Sequence, residues 1–274
     1  MGITSDFHLH SYFSGDSTVP TEDMILAGIK SGLTSMCFTE HNDFDFPYEV
    51  TDVNPDAFLL DVETYRKSLM ALAEKYRDQV RILFGVEIGL QQCCIEKNRE
   101  LAASGGFDFI IASAHLCQGM DPYYPSFFEG KQASDCYLAY FEELYENLKS
   151  FSDFDVCGHL DYIARYAPKE AAPFRYEDFS DLIDEILRYL IQNGKGMEVN
   201  TSRLIKPAHT TNPSPRILKR YRELGGEILT VGSDAHVPEA VGGGFFEAAD
   251  ILRNCGFSYY TVFSGRTPSF LKIS

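Results

Sequence analysis

The chain has 274 residues, 45% of them apolar and 23% charged, which supplies a full hydrophobic core and excludes a disordered or collagen-like polymer. Its 40 acidic against 24 basic side chains give a formal charge of −16, and the pI near 4.8 argues against a surface built as a whole to grip nucleic acid or an anionic membrane. No stretch approaches the roughly 18 apolar residues of a membrane span, and Asp6 and His8 interrupt the start where a signal peptide would carry its apolar run, so a cytoplasmic protein is expected.

In chain order, β-prone runs are predicted at residues 3–8, 35–39, 80–87, 107–113, 154–157, 196–200 and 227–231. Between them, apolar residues recur at three and four positions over 20–30, 62–76, 95–103, 134–149, 176–191, 214–224 and 239–253, the spacing of helices. Gly32, Gly105 and Gly194 stand where three of these helices should stop. Seven strand-helix alternations with mostly apolar strands imply parallel strands covered by helices, in a barrel or a doubly wound sheet. The dinucleotide fingerprint is missing, because Glu247 stands where a third glycine would follow Gly242 and Gly244, and no GxxxxGK[ST] loop occurs. With no linker or repeat to divide it, the chain reads as one domain over 1–274, with 259–264 as an eighth strand or an edge addition.

The seven cysteines lie inside apolar runs (Cys37, Cys157) or on a predicted helix (Cys93, Cys94) rather than in a spaced framework, which fits a reducing compartment. Asn200-Thr201-Ser202 is a chance sequon match on this reading.

Six of the seven histidines fall at the C-terminal ends of predicted strands or just beyond: His8, His10, His41, His115, His159 and His236, joined there by Glu87 and Asp234. Strand C-termini of a parallel barrel open on one face, so these groups should form one cluster. His8 and His10 are two apart, and an extended strand turns both to the same side, where they can chelate one ion. Six imidazoles with two carboxylates exceed the needs of one tetrahedral ion, which implies more than one metal.

The opening Asp6-Phe-His-Leu-His-Ser-Tyr-Phe-Ser-Gly-Asp16, with Phe38-Thr-Glu-His41 and Gly85-Val-Glu87, resembles the histidinol-phosphate phosphatase branch of the polymerase and histidinol phosphatase (PHP) superfamily, metal-dependent phosphoesterases. The resemblance covers essentially the whole chain. It implies a distorted, TIM-like (β/α)7 barrel with a trinuclear centre: His8, His10, Glu87 and Asp234 on a first ion, Glu87 bridging to a second held by His115 and His159, and Asp16, His41 and His236 on a third. Many members of the superfamily carry a histidine where this chain has Asp16. A carboxylate there makes the third site harder and lets iron or manganese serve as readily as zinc.

Around these groups, Glu40 reads as a partner that orients an imidazole, with Asp6 and Asp161 in similar roles, and Cys117 and Cys157 as bystanders. His209 lies in a loop and is not expected to be a ligand. Arg165 and Arg203 follow strand ends, and their guanidinium forks suit phosphate oxygens; Lys206 reads as a solvated surface group. Tyr162, Tyr166 and Glu198 are candidates for the wall that meets the organic part of a substrate.

Three divalent ions would bring about six positive charges and reverse the sign of the pocket in an acidic protein. The expected chemistry is in-line attack of a metal-bridging hydroxide on phosphorus, with Glu87, Asp234 and His236 as the catalytic groups. The resemblance implies L-histidinol phosphate as the small phosphorylated substrate, yielding L-histidinol and phosphate in histidine biosynthesis. The alternatives are another small phosphate ester, or phosphodiesters of nucleic acid, against which the lack of a basic stripe speaks. An amidohydrolase leaves Glu87 and the Asp16, His41, His236 set unexplained, and an idle binding protein leaves the open coordination positions unexplained. No membrane or nucleic-acid partner is expected; oligomeric state is not readable.

Overall fold

A computed structural model of the chain describes residues 2–47, 56–168 and 173–274. Among these residues, seven parallel strands form one sheet in sequence order: β1 Ser5–Leu9, β2 Ser35–Asn42, β3 Arg81–Gly89, β4 Phe109–Ser113, β5 Val156–Cys157, β6 Gly196–Asn200 and β7 Leu229–Gly232. Helices follow each strand in turn: α1 Thr21–Lys30, α2 Val62–Tyr76, α3 Ile95–Ser104, α4 Ala133–Ser150, α5 Ser180–Gln192, α6 Pro215–Glu223 and α7 Phe245–Asn254. A doubly wound sheet would reverse its strand order at a switch point; this one never does, which resolves the alternative in favour of the barrel.

The helices are stopped and started by local chemistry. In α1, Met24 and Ile25 are buried, Glu22 and Asp23 occupy the first turn and Lys30 the last, each on the side the helix dipole favours. Gly32, at φ 77°, takes the left-handed turn beyond it. Asp61 caps α2 by accepting from the Thr64 N–H at 3.1 Å.

The seam between β7 and β1 closes only toward the C-terminal ends. There Asp234 N–H donates to His8 O at 2.7 Å and His10 N–H to Ala235 O at 2.9 Å. Lower down, the buried Asp6 carboxylate takes the place of strand pairing, accepting from Ser233 N (2.9 Å), Ser233 Oγ (2.6 Å) and Gly242 N (3.1 Å). Burial raises the Asp6 pKa to about 6 against the pull of these donors. Asp6 therefore holds the seam and does not orient an imidazole as its position in sequence suggested.

Inside the barrel the two ends differ. Phe7, Cys37, Leu83, Phe109, Ile111, Val156 and Phe263 fill the lower half, and each buried phenylalanine contributes about 1.5–3 kcal/mol. The upper half is polar. A bulge in β1, where Asp6 pairs with Met36 and Leu9 already with Phe38, spends three steps against two on β2. This shift lets Phe7 face the lower core while His8 and His10 face the upper interior. Gly232 makes room for them: a Cβ there would stand 2.2 Å from the Cβ of His8.

The segment expected as an eighth strand is β8, Tyr259–Ser264, but it pairs antiparallel with β9, Thr267–Lys272, as a hairpin under the barrel. Phe263 enters the lower core 5.0 Å from the Phe109 ring. Other expectations were too long: β4 begins only at Phe109 and α5 only at Ser180, after a 3-10 turn at Tyr176–Phe179. β5 is confined to Val156–Cys157, and α7 begins only at Phe245, after a short 3-10 turn at Pro238–Ala240 and the left-handed Gly242 and Gly244.

Candidate metal centre

Glu87, at the end of β3 and fully buried, is the hub of the upper interior. Its Oε2 lies 3.1 Å from His8 Nε2, 3.6 Å from His10 Nε2 and 3.0 Å from His41 Nδ1. Its Oε1 lies 3.2 Å from His115 Nε2 and 3.1 Å from His159 Nε2, and accepts from Ser113 Oγ at 2.6 Å. The parallel register explains this convergence, because His41 and Glu87 are direct partners across β2 and β3, while His115 and His159 lie just beyond β4 and β5. Asp234 follows β7 with φ 53°, a left-handed conformation rare outside glycine. Its Oδ1 is 3.5 Å from His10 and 3.8 Å from His8. Asp16 Oδ2 reaches His236 Nε2 at 3.1 Å and His41 Nε2 at 3.5 Å. All nine side chains expected to act together are thus gathered at one end of the barrel.

Behind several imidazoles stands a group that fixes its orientation. His8 Nδ1 is 2.5 Å from Glu198 Oε1, and His115 Nδ1 is 2.7 Å from Asp43 Oδ1. Ser14 Oγ donates to Glu40 Oε2 at 2.6 Å and accepts from His41 N–H at 3.0 Å. Its contact with His10 Nδ1 at 3.0 Å then requires the proton on Nδ1, which leaves Nε2 bare toward Glu87 and Asp234. Glu40, its pKa raised by burial, acts on His10 and His41 through Ser14 rather than by touching either.

The charges are arranged for a cation. Burial opposes a charge on His8, yet Glu198, Glu87 and Asp234 outweigh it and push the imidazole well above its usual range; His41 and His115 behave alike, driven by Asp16 with Glu87 and by Asp43 with Glu87. Burial likewise opposes ionisation of Glu87 and Asp234, but the surrounding imidazoles, joined for Asp234 by Arg165, hold both carboxyls well below their usual range. Burial and the neighbouring His236 and His41 keep His10 neutral. Buried polar atoms without a well-aligned hydrogen bond include His10 Nε2, His41 Nδ1, His236 Nε2 and Asp43 Oδ2. Ligand atoms of His8, His10 and Glu87, of Glu87, His115 and His159, and of His10, His41 and His236 lie within 4.8 Å of one another in each set. The carboxylates that favour a proton on His8, His41 and His115 would equally favour a metal ion in its place, and imidazole nitrogens freed of that proton fit divalent transition ions together with the ionised carboxylates.

Above this cluster opens a cavity of about 200 Å³, lined by His41, His115, His159 and His236 together with Asp16 and Asp234. Arg165 and Lys206 line it too. Arg165 is held by Asp234 Oδ2 at 3.1 Å from Nη1 and Asn212 Oδ1 at 2.9 Å from Nε, with Nη2 left unpaired. Asp161 supports this arrangement from behind by accepting from Asn212 Nδ2 at 2.5 Å, and so reaches the site through an arginine rather than an imidazole. Its walls also include Phe46, Phe58, Tyr162, Tyr166 and Asp121.

Arg203, expected beside the phosphate, lines a neighbouring cavity with Asp161 and Phe174 instead. Ser202 folds back on Asn200 Oδ1, with N at 3.1 Å and Oγ at 2.7 Å, and the cavity above the cluster is lined by Ser202 and Lys206 but not by Arg203. Glu198, expected at the mouth, is wholly buried behind His8. Asp43 and Asp121 escaped sequence reasoning; a carboxylate two residues beyond His41 was the signal for the first. His209 is exposed, away from the cluster.

Comparison with known proteins places these features in context. The PHP domain family model matches residues 6–202. A probable histidinol-phosphatase of Clostridium acetobutylicum is 34% identical over 250 residues, covering 91% of this chain and 93% of that protein. The histidinol-phosphatase of Lactococcus lactis subsp. lactis is 30% identical over 95% of this chain and 94% of its own length. The crystal structure of Lactococcus lactis histidinol phosphate phosphatase with zinc, L-histidinol and phosphate superposes with a TM-score of 0.88 at 28% identity, covering 97% of this chain and 98% of that one.

Proposed function

Because this chain belongs to the PHP domain family, we propose that it is a metal-dependent phosphomonoesterase that hydrolyses L-histidinol phosphate to L-histidinol and phosphate. The observation that carries the reading is the convergence of five imidazoles within 3.0–3.6 Å of the single buried carboxylate of Glu87, an arrangement that cations between the groups would stabilise. The bound ligands of the Lactococcus lactis structure support the choice of substrate.

On this reading His8, His10, Glu87 and Asp234 hold one ion, Glu87 with His115 and His159 a second, and Asp16 with His41 and His236 a third, each zinc, iron or manganese. When bound, such ions would supply Lewis acidity toward phosphoryl oxygens and lower the pKa of coordinated water to about 7. The protein's own groups do the rest. Arg165, clamped on two sides, directs its free Nη2 at a phosphoryl oxygen, and Lys206 adds a second positive charge. Asp234 and His236 border the cavity and would orient a solvent water that gives its proton to the departing alkoxide. Phe46, Phe58, Tyr162 and Tyr166 wall the space for an imidazole ring, and the Asp121 carboxylate meets the ammonium of an amino alcohol.

Residues 1–274 act as one catalytic unit in this account, cytoplasmic and without a nucleic-acid partner. The acidic balance supports that, as do the seven free cysteines. No helix among the described residues is long and apolar enough to cross a membrane. The test is steady-state phosphate release from L-histidinol phosphate, from other small monoesters and, as nucleotide release, from single-stranded DNA. The expected result is a kcat/KM for histidinol phosphate at least about a hundredfold above every competitor; equal or better turnover of another ester, or of DNA, would overturn the assignment.

A further inference from the structure

A second group of metal-ligating side chains lies outside the catalytic cavity. The loop beyond β2 places Asp45 in the left-handed region, at φ 55°, against the turn Gln92–Cys94 that leads into α3. Here Cys93 Sγ and Cys94 Sγ are 3.5 Å apart, and Cys94 Sγ is 3.5 Å from Asp45 Oδ2 and 3.4 Å from the carbonyl oxygen of Phe44. Among the described residues this is the one grouping of three potential ligands that contains cysteine.

These spacings match a coordination polyhedron. Thiolates about 2.3 Å from a tetrahedral ion stand about 3.8 Å apart, and a carboxylate oxygen about 2.0 Å from the same ion stands about 3.5 Å from each sulfur. The observed 3.5 Å between the sulfurs and 3.5 Å from Cys94 Sγ to Asp45 Oδ2 lie within a few tenths of an ångström of these values, and all three ligand atoms lie within 4.8 Å of one another. Exposed Cys93 gives an ion a way in, while buried Cys94 fixes the second sulfur. The charge balances as well. Two thiolates and one carboxylate around a divalent ion leave a single negative charge, and Lys97 Nζ already sits 2.7 Å from Asp45 Oδ2. Gln91 Nε2 donates to the Phe44 carbonyl at 2.8 Å and keeps that strand-to-turn contact in register.

We infer that Cys93, Cys94 and Asp45 form a separate site for one thiophilic divalent cation of the zinc and cadmium class, with the Phe44 carbonyl or solvent completing the shell. Binding releases the two thiol protons to solvent and forms two metal-sulfur bonds, with no change of oxidation state. The oxygen and nitrogen ligands of the catalytic centre offer no sulfur, which makes the two sites spectroscopically distinct.

The experiment is titration of the reduced, metal-replete protein with Cd2+, followed by sulfur-to-cadmium charge-transfer absorption in the ultraviolet. The expected result is one equivalent per chain, loss of the band in Cys93→Ser and in the Cys93→Ser/Cys94→Ser pair, and an apparent affinity at least about tenfold weaker in Asp45→Asn. Phosphate release by Cys93→Ser, expected to match the parent, reports an intact fold. Absence of the band in the parent, its persistence at full size in Cys93→Ser, or an unchanged affinity in Asp45→Asn would overturn the assignment.

Discussion

Glu198 Oε1 lies 2.5 Å from His8 Nδ1 at the floor of the site, while its other oxygen accepts from the backbone N–H of His159 at 2.8 Å. One carboxylate from β6 thereby fixes one imidazole through its ring and anchors the backbone that carries another, and the two reach Glu87 from different strands. A glutamine amide can accept at one end only, so Glu198→Gln must deprive one of the two donors. The variant is expected to fold and to bind metal about 10–100-fold more weakly, with phosphate release falling in parallel. Competition against a chelator of known affinity measures this, and unchanged affinity would remove Glu198 from the positioning role.

The same pair of residues shows what sequence can and cannot reveal. His8 was legible because a strand-end histidine two residues from another, in a chain with four more such histidines, leaves few alternatives. Glu198 was not, since a polar residue inside β6 faces either the site or its rim depending on barrel closure, which no local pattern encodes. The β1 bulge is hidden for a similar reason, being defined by the step count on β2. The seven-strand alternation was readable from apolar runs, but β5 is only two residues long and its ends are set by neighbouring strands. The β8–β9 hairpin gave a weak signal because Arg266 occupies a left-handed turn position, at φ 62°, where asparagine or glycine is usual. Tertiary contacts hold it there: Arg266 Nε is 2.5 Å from Asp155 Oδ2, and Arg266 N–H donates to Asp108 O at 2.9 Å. Arg203 misled because the turn from Asn200 to Ser202 decides which cavity the side chain after it enters.

Glu87→Gln is the substitution aimed at the hub. It keeps the size of the side chain while removing the charge that gathers five imidazoles. The expected outcome is a folded barrel by circular dichroism, with a fall in phosphate release of at least about 10³-fold and loss of metal in step with it. Retained hydrolysis would show that Glu87 does not link two ions.

Arg165→Lys tests the phosphate clamp. Lysine preserves the charge, but its three N–H bonds diverge from one nitrogen and cannot reproduce the planar fork in which Nε meets Asn212, Nη1 meets Asp234 and Nη2 stays free. A loss of about 10²-fold in kcat/KM is expected, about 2.7 kcal/mol of transition-state stabilisation, with metal content unchanged. Equal kinetics in the variant would place the phosphate elsewhere.

Asp184 on α5 gives a pH-dependent prediction away from the site. Its carboxylate accepts from Arg220 Nη2 at 2.6 Å, Arg188 Nη2 at 2.9 Å and Tyr176 Oη at 2.6 Å. The Arg220 hydrogen bonds, against partial burial and with help from Tyr176, hold its pKa below the ordinary 3.8. The unfolded chain therefore binds the proton more readily, and the stabilisation is present above about pH 4 and lost as pH falls through the lower folded value. Asp184→Asn should lower stability near neutral pH by about 1 kcal/mol after solvent screening of the exposed arginines, or roughly 2–4 °C in Tm. Thermal melts of both proteins should converge as pH falls below about 3.8; a gap that persists or widens there would refute the network's ionic character.

The most direct test of metal-dependent phosphate hydrolysis pairs elemental analysis with phosphate release from L-histidinol phosphate on the same samples, as bound metal is withdrawn by chelation and restored. The predicted result is close to three divalent ions per chain at full activity, a rate that falls with their removal, and recovery on readdition of zinc, manganese or iron. Full turnover by protein stripped of metal would contradict it.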